Sequence, residues 1–160
     1  MNIRQVKEAD NPSLAALIRS AFEEYSAPQQ GTVYSDPTTD RLFQLFQKDK
    51  AILWVAEAED TITGCCGIYP TEGLPEQYVE LVKFYISPHA RGKGIGKELM
   101  AKNIESAENF GYTTLYIESM PEFSTAVMLY EKYGFTHIRQ PLGNSGHTSC
   151  TIWMVKDLIE

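Results

Sequence analysis

Around residue 90 the sequence changes from a strand pattern to a helix pattern and then back again. Residues 78–86 are rich in Val, Tyr and Phe and end at Ser87 and Pro88, as a β-strand does. Apolar residues then recur at helical spacing, at Ile95, Leu99, Met100, Ile104 and Ala107. Residues 113–118 again have the composition of a strand. A strand, a helix and a strand in succession predict a crossover connection, with the helix lying on one face of the sheet.

The other patterns predict antiparallel strands and further helices. Residues 51–58 and 61–69 are two strand-like runs separated by Glu59 and Asp60, which indicates a hairpin. The remaining predicted elements are a strand over 3–6, helices that begin near Asn11 and Pro37, a helix over 121–132, and strands over 135–139 and 148–155. Because no repeat or linker divides the sequence, we expect one domain over residues 1–160. Its fold class is α/β (more narrowly α+β), a mixed sheet with helices on both faces.

The charge of the chain argues against polyanionic partners. There are 14 Lys and Arg residues against 21 Asp and Glu, and the formal net charge is −7. An acidic protein lacks the basic surface that binds phosphates, so we expect neither nucleic acid nor a membrane as its partner. Residues 1–10 are unlike a secretory signal, and the longest apolar run, 51–56, is too short to span a membrane. These features predict a cytoplasmic protein.

The cysteines and histidines predict neither disulfides nor a metal site. There are three cysteines, and the adjacent pair Cys65 and Cys66 suits neither a disulfide framework nor a C-x-x-C site. The third, Cys150, has no visible histidine pairing that would mark a nucleophile, and we interpret it as a buried apolar side chain. The three histidines are scattered along the sequence. We therefore expect reduced thiols and no bound metal.

The turn between the predicted strand and helix, residues 91–96, alternates glycine with other residues. Gly92, Gly94 and Gly96 let the backbone approach a ligand closely, and amide groups at a helix N-terminus can hold a pyrophosphate. Lys93 and Lys97 add positive charge. The segment matches neither the P-loop nor the G-x-G-x-x-G fingerprint of dinucleotide-binding proteins. Taken alone, it is also compatible with a plain turn that binds no ligand.

In its context, the turn resembles the signature of the GNAT superfamily of acyl-CoA-dependent N-acetyltransferases. That signature, [Gln or Arg]-x-x-Gly-x-[Gly or Ala], is matched by Arg91, Gly94 and Gly96. The connector 87–90 and the segment 129–135 are similar to the family's, and the order of elements agrees over almost the whole chain. The resemblance implies a mostly antiparallel sheet with a splayed parallel strand pair. It also implies transfer of an acetyl group from acetyl-CoA to a primary amine, on a small molecule or a peptide, by direct attack in a ternary complex, in a monomer or homodimer.

The resemblance further implies which residues bind acetyl-CoA. The family pairs the pantetheine arm with the backbone of the strand before the motif and holds the pyrophosphate at the turn. The corresponding residues are Phe84, Tyr85, Ile86, Arg91, Gly92, Lys93, Gly94, Ile95, Gly96 and Lys97. One position departs from the family, because Phe123 stands where many members have an asparagine that contacts the cofactor.

Acetyl transfer needs a base, since an amine such as lysine, with a pKa of about 10.4, is protonated at pH 7. Glu80 is the first candidate because it lies on the strand leading to the motif and resembles the glutamate that some family members use. If side chains alternate strictly along the strand, Glu80 shares one face with Tyr78, Val82, Phe84 and Ile86. Burial on that face would raise the pKa of the Glu80 carboxyl group. Glu118, on the neighbouring strand, is the alternative base. By resemblance, Tyr130 is the acid that protonates the departing thiolate.

The family's acceptor cleft is walled by the first two helices and their connecting loop, here residues 22–43. This segment is acidic and aromatic, with Glu23, Glu24, Tyr25, Tyr34, Asp36 and Asp40. Carboxylates attract an ammonium group and aromatic faces can hold it, so we expect a cationic amine acceptor, bound by Glu23, Glu24, Tyr25 and Tyr34. We interpret His137 and His147, in or beside the last strands, as structural.

Two other functions remain open from the sequence. One is a non-catalytic acyl-CoA-binding regulatory module that keeps the turn and has lost the chemistry. The other is a partner-binding domain in which the glycines serve only the turn. The presence of both Glu80 and Tyr130 favours the enzyme.

Overall fold

The computed structural model describes residues 1–158, which form one seven-stranded sheet with helices on both faces. The strands are β1 (Asn2–Gln5), β2 (Ile52–Ala58), β3 (Thr61–Tyr69), β4 (Tyr78–Ile86), β5 (Thr114–Ser119), β6 (Thr136–Ile138) and β7 (Ile152–Asp157). The helices are α1 (Asn11–Glu24), α2 (Leu42–Leu45), α3 (Ile95–Asn109) and α4 (Ser124–Lys132). Positions 159–160, the end of the predicted domain, lie outside the described residues.

The sheet has the order β1-β2-β3-β4-β5-β7-β6, and within residues 1–158 only β4 and β5 pair in parallel. The α3 crossover joins these two strands, which is why they run in the same direction. Their pairing extends from Tyr78 opposite Thr114 to Glu80 opposite Tyr116, and then stops. Beyond Glu80 the two strands diverge, so one edge of β4 is left open. The predicted mixed, mostly antiparallel sheet with a splayed parallel pair is confirmed.

Helices bury an apolar stripe on each face of the sheet. On one face, Leu99 and Met100 of α3 and Val127 of α4 join a core with the apolar side chains of β4 and β5. On the other face, Leu14 and Phe22 of α1 pack in a second core with residues of β2 and β3. Full burial of each such side chain contributes about 1.5–3 kcal/mol relative to exposure. The two cores pack on opposite faces of the sheet and hold β4 and β5 in position, and the candidate site lies where these strands end.

A β-bulge in β4 overturns the simple alternation expected around Glu80. The register against β3 shifts between Cys65 and Gly67, and Lys83 on β4 has φ +57°. An extra residue on one strand reverses the faces of the residues that follow it. Glu80 therefore shares a cavity-facing side with Val82 and Lys83, whereas Phe84 and Ile86 pack into the core on the α3 and α4 side. The prediction that Phe84 and Ile86 share the face of Glu80 is wrong for this reason.

The C-terminal strand begins later than expected. β7 starts at Ile152, not at residue 148, because both neighbouring strands end there: β5 ends at Ser119, opposite Ile152, and β6 ends at Ile138, opposite Trp153. The backbone of the preceding loop, 139–151, bonds to other loops instead. The amide of Asn144 donates to the carbonyl of Glu72 at 2.7 Å, and that of Ser149 to the carbonyl of Gly31 at 3.1 Å. This loop, which we call the 139–151 loop, thereby covers the open end of the sheet.

Two predicted helices are shorter than expected. The segment after Asp36 forms a 3-10 helix, Pro37–Arg41, before the single turn of α2, and α4 is preceded by a 3-10 turn, Pro121–Phe123. Within residues 1–158 no helix has the length and apolar character needed to cross a membrane.

Candidate active site

A small cavity lies where β4 and β5 diverge. Its volume is about 70 Å³, and it is lined by side chains from both strands, from α4 and from the 139–151 loop. The chemically active residues in its wall are Glu80, Lys83, Glu118, Tyr130, His147 and Cys150. The fold thus brings the predicted base, its alternative and the predicted acid around one space.

Glu80 is a buried carboxyl group whose proton affinity is tuned toward neutral pH. Its side chain is 4% exposed, and the hydroxyl of Thr71 donates to Oε1 at 2.5 Å. Burial, and to a lesser extent the charge of Glu118, raises the pKa of Glu80 to about 7, against the opposing effects of Thr71 and Lys83. Oε2 has no hydrogen-bond partner among the described residues. A carboxylate with a free oxygen and a pKa near neutrality can accept a proton at physiological pH.

Glu118, the alternative base, is occupied by hydrogen bonds. Its Oε2 accepts from the Tyr116 hydroxyl at 2.7 Å and its Oε1 from the Ser145 hydroxyl at 2.5 Å. Tyr116 in turn accepts a bond from the amide of Leu142 at 3.0 Å. Glu118 therefore ties β5 to the 139–151 loop, and both of its carboxylate oxygens accept hydrogen bonds.

Tyr130 reaches the same cavity from α4. Its ring packs 6.0 Å from the ring of Phe84 and 5.6 Å from that of Phe135, measured between centroids. The side chain is 7% exposed, and burial raises its pKa, so the phenol stays protonated at neutral pH. Its hydroxyl has no hydrogen-bond partner among residues 1–158. A buried, protonated phenol that faces the cavity can donate a proton there.

An apolar cleft of about 440 Å³ adjoins the small cavity on the side of α4. Its walls are the open edge of β4, through Phe84, Tyr85 and Ile86, and the apolar side of α4, through Ala126 and Leu129. Backbone groups of β4 beyond Glu80 have no strand beside them on this edge. A long, thin, partly apolar ligand with amide groups could therefore extend β4 here.

Phe123, where the family has a polar residue, belongs to an aromatic cluster between the cleft and the small cavity. Its ring lies 5.1 Å from Phe22, 5.6 Å from Tyr25 and 6.2 Å from Tyr85. Its side chain lines both spaces and supplies apolar contact in place of a hydrogen bond.

The glycine turn lies before the first turn of α3, past the end of β4. Gly92 and Gly94 have φ of +77° and +81°, and a Cβ atom added to either would meet nothing within 4 Å. Their left-handed backbone explains the glycines, and the space beside them is free. The first helical bond runs from the Glu98 amide to the Gly94 carbonyl at 3.1 Å, so the amides of residues 95–97 precede the helical ladder. This turn fits a phosphate group, and the exposed side chains of Lys93 and Lys97 lie next to it in the chain.

Arg91 is held by two residues that the sequence pattern places at the acceptor. Its guanidinium donates to both oxygens of Glu24, at 2.7 and 2.9 Å, and lies 5.3 Å from the centre of the Tyr25 ring. Its Nε donates to the Ile86 carbonyl at 3.1 Å. Arg91 and Tyr25 line the apolar cleft, so Glu24 and Tyr25 lie at the mouth of the space next to the glycine turn.

A second polar cavity, of about 260 Å³, lies on the other side of Glu80. Its wall includes Asp36, Thr71, Glu72, Glu80, Lys83, Asn144, Ser145 and His147. Of the acidic residues in 22–43, only Asp36 reaches it. Glu23 instead accepts a bond from the Tyr34 hydroxyl at 2.9 Å, and Asp40 pairs with Arg19 at 2.5 Å. We call this space the acceptor-side cavity.

The structure adds two residues that the sequence did not assign to the site. Lys83 is 7% exposed, and burial lowers its pKa against the raising effect of Asp36 and Glu80. His147 bonds through Nε2 to Asp36 Oδ2 at 3.0 Å. The sequence offers no signal for Lys83, because only the bulge turns it toward Glu80. The other histidine on this part of the chain, His137, is exposed and bonds to Glu131 at 3.3 Å.

The cysteines are free, as expected. Cys65 and Cys66 are buried in the sheet, and burial raises the pKa of Cys150 to about 12. A thiol of this pKa is not ionised at neutral pH, so Cys150 is a poor nucleophile. Within residues 1–158 no three His, Cys, Asp or Glu side chains are grouped so as to hold a metal ion.

Comparison with known proteins agrees with this architecture. The chain is 35% identical to the uncharacterized N-acetyltransferase YjgM of Escherichia coli K12 over 157 residues, 98% of this chain and 94% of that protein. It is 33% identical to the IAA acetyltransferase of Azospirillum brasilense over 65% of this chain and 66% of that one. A GNAT-family acetyltransferase structure from Staphylococcus aureus Mu50 superposes with a TM-score of 0.86, at 19% identity and 98% coverage of both chains.

A structure of the yncA acetyltransferase from Salmonella typhimurium with its cofactor acetyl-CoA has a TM-score of 0.76, at 20% identity, covering 100% of this chain and 95% of that one. The model of the acetyltransferase (GNAT) family matches residues 15–135. The predictions of an acyl-CoA-dependent acetyltransferase and of acetyl-CoA as its cosubstrate are confirmed at the level of the family. The chain belongs to the acetyltransferase (GNAT) family.

Proposed function

We propose that this protein is an N-acetyltransferase that moves an acetyl group from acetyl-CoA to a primary amine by direct attack in a ternary complex. Glu80 takes the proton from the attacking amine, and Tyr130 gives a proton to the sulfur that leaves. The observation that carries the proposal is the position of Glu80. It is a buried carboxyl with a pKa of about 7, and it lines both the cavity that contains Tyr130 and the acceptor-side cavity.

The two spaces beside Glu80 provide separate entries for the two substrates. We place the pantetheine arm in the apolar cleft along Phe84, Tyr85 and Ile86, where the backbone of β4 has no neighbouring strand. The glycine turn at the start of α3 then holds the pyrophosphate, with Ile95, Gly96 and Lys97 supplying amides and Lys93 and Lys97 supplying charge. The amine enters from the acceptor-side cavity, so the two reactants meet between Glu80 and Tyr130.

The reaction balances with these residues alone. The nitrogen of the neutral amine forms a bond to the carbonyl carbon of the thioester, and the carbon–sulfur bond breaks. The proton lost by nitrogen goes to the carboxylate of Glu80, directly or through water, and the sulfur receives the proton of Tyr130. Transfer of a proton from Glu80 to the Tyr130 phenolate, through water, then returns both residues to their starting states. Each proton transfer of this kind is worth about 10²- to 10⁴-fold in rate.

The test is the pH dependence of kcat/KM for acetyl transfer to an amine panel, followed by release of free thiol. We expect the wild type to show an ionisation near pH 7. Glu80→Gln should be slower at neutral pH and recover partly at high pH, where free amine is abundant. Glu118→Gln is the matched control, because it removes the other carboxylate of the cavity. Loss of the ionisation in Glu118→Gln alone would make Glu118 the base, and a Glu80→Gln profile that is uniformly lower would exclude Glu80.

The non-catalytic alternative predicts a different result. A module that only binds acyl-CoA would be stabilised by CoA and would release no thiol above background with any amine. The free oxygen of Glu80 and the protonated Tyr130, which line the same cavity, favour the enzyme.

A further inference from the structure

Lys83 is a buried lysine whose amine has no bonding partner in the described part of the chain. It is 7% exposed, its Nζ forms no hydrogen bond or ion pair with residues 1–158, and this atom is still accessible from the cavities that the side chain lines. Its side chain lines both the small cavity and the acceptor-side cavity, in each case together with Glu80. An amine that is largely removed from bulk water and open only to a cavity is well placed to bind a ligand that supplies a hydrogen-bond acceptor there.

The backbone at Lys83 has an unfavourable conformation, which turns the side chain toward the cavities. Within residues 1–158, Lys83 is the only non-glycine residue inside a strand with a positive φ. This conformation is unfavourable for a residue with a Cβ atom, and it persists only where the surrounding structure enforces it. Strain of this kind is concentrated at binding and active sites. The bulge puts a positive charge three residues from the proposed base and on the same side of the strand.

The two acidic groups nearest to Lys83, Asp36 and Glu80, form no ion pair with it. Asp36 accepts hydrogen bonds from the amide of Thr38 at 2.9 Å and from the hydroxyl of Thr38 at 2.7 Å. Its Oδ2 also lies within hydrogen-bond distance of Nε2 of His147, at 3.0 Å. Glu80 accepts from Thr71. Neither carboxylate lies within 4 Å of the Lys83 amine, so neither forms an ion pair with it. The positive charge of Lys83 is left available to the acceptor-side cavity.

We propose that the acceptor is an amino acid or a closely related small amine with a carboxylate, and that Lys83 binds this carboxylate while Glu80 faces the amine. This inference rests on the proposed function for the direction of the amine. A cavity of about 260 Å³ is smaller than the roughly 300–1,000 Å³ of drug-sized ligand sites, which suits a single small metabolite. The acceptor is then a zwitterion, not the plain cation that the acidic segment 22–43 predicts.

The experiment measures binding and turnover of matched ligand pairs that differ in one carboxylate. Tyrosine and tyramine, lysine and cadaverine, and valine and isobutylamine form three such pairs, and each amino acid is also compared with its neutral carboxamide. Binding to the CoA-saturated protein is measured by calorimetry, and turnover by thiol release. For at least one pair we expect the wild type to favour the amino acid over both analogues by on the order of 10- to 100-fold, the range of a charged hydrogen bond.

The variant Lys83→Met removes the charge and keeps a similar volume. Replacing an unpaired buried charge with an apolar side chain is compatible with folding, which the thermal shift with CoA verifies. We expect this variant to lose the preference for the carboxylate, with the plain amine affected far less. Using the ratio within each pair cancels any change in the pKa of Glu80. Lys48→Met is the matched control, since Lys48 lines the same cavity but is exposed and lies 5.7 Å from the Tyr69 ring centre.

The outcomes separate this inference from the proposed function. Carboxylate-selective binding that depends on Lys83, without thiol release, supports the site and contradicts the acetyltransferase. Turnover with equal preference for amine and amino acid, or a preference that survives Lys83→Met, overturns the inference while the proposed function stands. A preference lost in Lys48→Met instead also overturns it. If no amino acid in the panel binds, the inference is wrong.

Discussion

At the residue scale, the burial of Glu80 raises the pKa of its carboxyl group and lowers the stability of the folded protein at neutral pH. Burial raises the pKa of its carboxyl from an ordinary 4.5 to about 7, so the folded protein binds a proton more tightly than the unfolded chain. Because the folded state holds more protons between these two values, the free energy of unfolding falls as pH rises through this window. The cost reaches on the order of 3 kcal/mol above pH 7.

We therefore predict that Glu80→Gln is more stable than the wild type at pH 8. The amide is neutral at every pH, so it avoids burying a charge, although it weakens the bond from Thr71. The difference in the free energy of unfolding should be up to about 3 kcal/mol at pH 8 and should shrink toward pH 4.5, where the wild-type carboxyl is protonated. Denaturant titrations at both pH values check this. An equal difference at the two pH values would show that the pKa of Glu80 is the same in the folded and the unfolded protein, so that burial does not raise it.

Tyr130→Phe should lower kcat by about 10²- to 10⁴-fold with little change in the KM for acetyl-CoA. The phenyl ring keeps the contacts with Phe84 and Phe135, and only the hydroxyl is lost. Tyr133→Phe, at the end of the same helix and outside the three cavities, is the control and should retain wild-type rates. Steady-state kinetics under conditions in which chemistry limits the rate separate the two. Unchanged turnover in Tyr130→Phe would assign this tyrosine to the core alone.

The sequence predicts a residue's place in the site where a motif marks that residue, but not where only the folded geometry brings it there. Glu80 and Tyr130 are named by their places relative to the glycine turn and the segment 129–135, and the fold brings both to one cavity. Lys83 could not be found, because nothing in a run of strand-forming residues indicates a bulge. The charge of Glu24 predicts a place at the acceptor, yet its partner Arg91 is distant in sequence and comes close only in the folded chain.

At the scale of elements, the glycine turn shows why the sequence pattern has its form. Gly92 and Gly94 adopt a backbone conformation that other residues avoid, and the free space beside them is the proposed phosphate site. A β-branched replacement at Gly94 would thus strain the backbone as well as fill the site. Substitution there needs a control with the same strain and no ligand nearby. Gly111, after the end of α3, has φ +88°, and a Cβ atom added to it would also meet nothing within 4 Å.

We predict that Gly94→Ala weakens CoA binding by at least about 10-fold and that Gly111→Ala does not. Both changes place a Cβ atom on a left-handed residue and should destabilise the fold by a similar amount, about 1–2 kcal/mol. Only Gly94 belongs to the proposed phosphate site, so only its added methyl group enters the free space proposed for the ligand. Calorimetric titration of CoA and thermal unfolding of both variants provide the comparison. Equal CoA affinity in the two variants would remove the turn from the binding site.

The elements themselves are largely predictable because each has its own period or turn signal. The hairpin of β2 and β3, the long helix α3 and the open strand β4 all lie where the pattern puts them. The misplaced start of β7 has a tertiary cause, since residues 148–151 have strand-forming side chains but no strand beside them. The amide of Ser149 bonds to the carbonyl of Gly31 instead, and His147, just before this segment, lines the acceptor-side cavity.

At the scale of the whole molecule, the divergence of β4 and β5 creates a sheet with a gap in it. Seven strands are continuous in order, yet pairing between the central two ends at Glu80. The helices α1 and α4 and the 139–151 loop line the gap, so its two mouths open toward different surfaces. A ligand in the apolar cleft would act as a substitute strand against β4, and would join the two halves of the sheet.

Amide hydrogen exchange should show whether CoA occupies the open edge of β4. A ligand that binds only the folded state raises its free energy of unfolding by about 2.7 kcal/mol at 100 times the Kd, and groups that it covers gain protection beyond the global effect. We predict that CoA slows exchange most strongly at residues 84–86 of β4 and 94–97 at the start of α3, and least at β1, on the far edge of the sheet. The Gly94→Ala variant, at the same CoA concentration, should lose about half or more of this ligand-dependent free energy, because a 10-fold higher Kd lowers it from about 2.7 to about 1.4 kcal/mol, while Gly111→Ala keeps it. Protection centred on β1 and β2, or absent from β4, would place CoA elsewhere on the molecule and contradict the assignment of the apolar cleft.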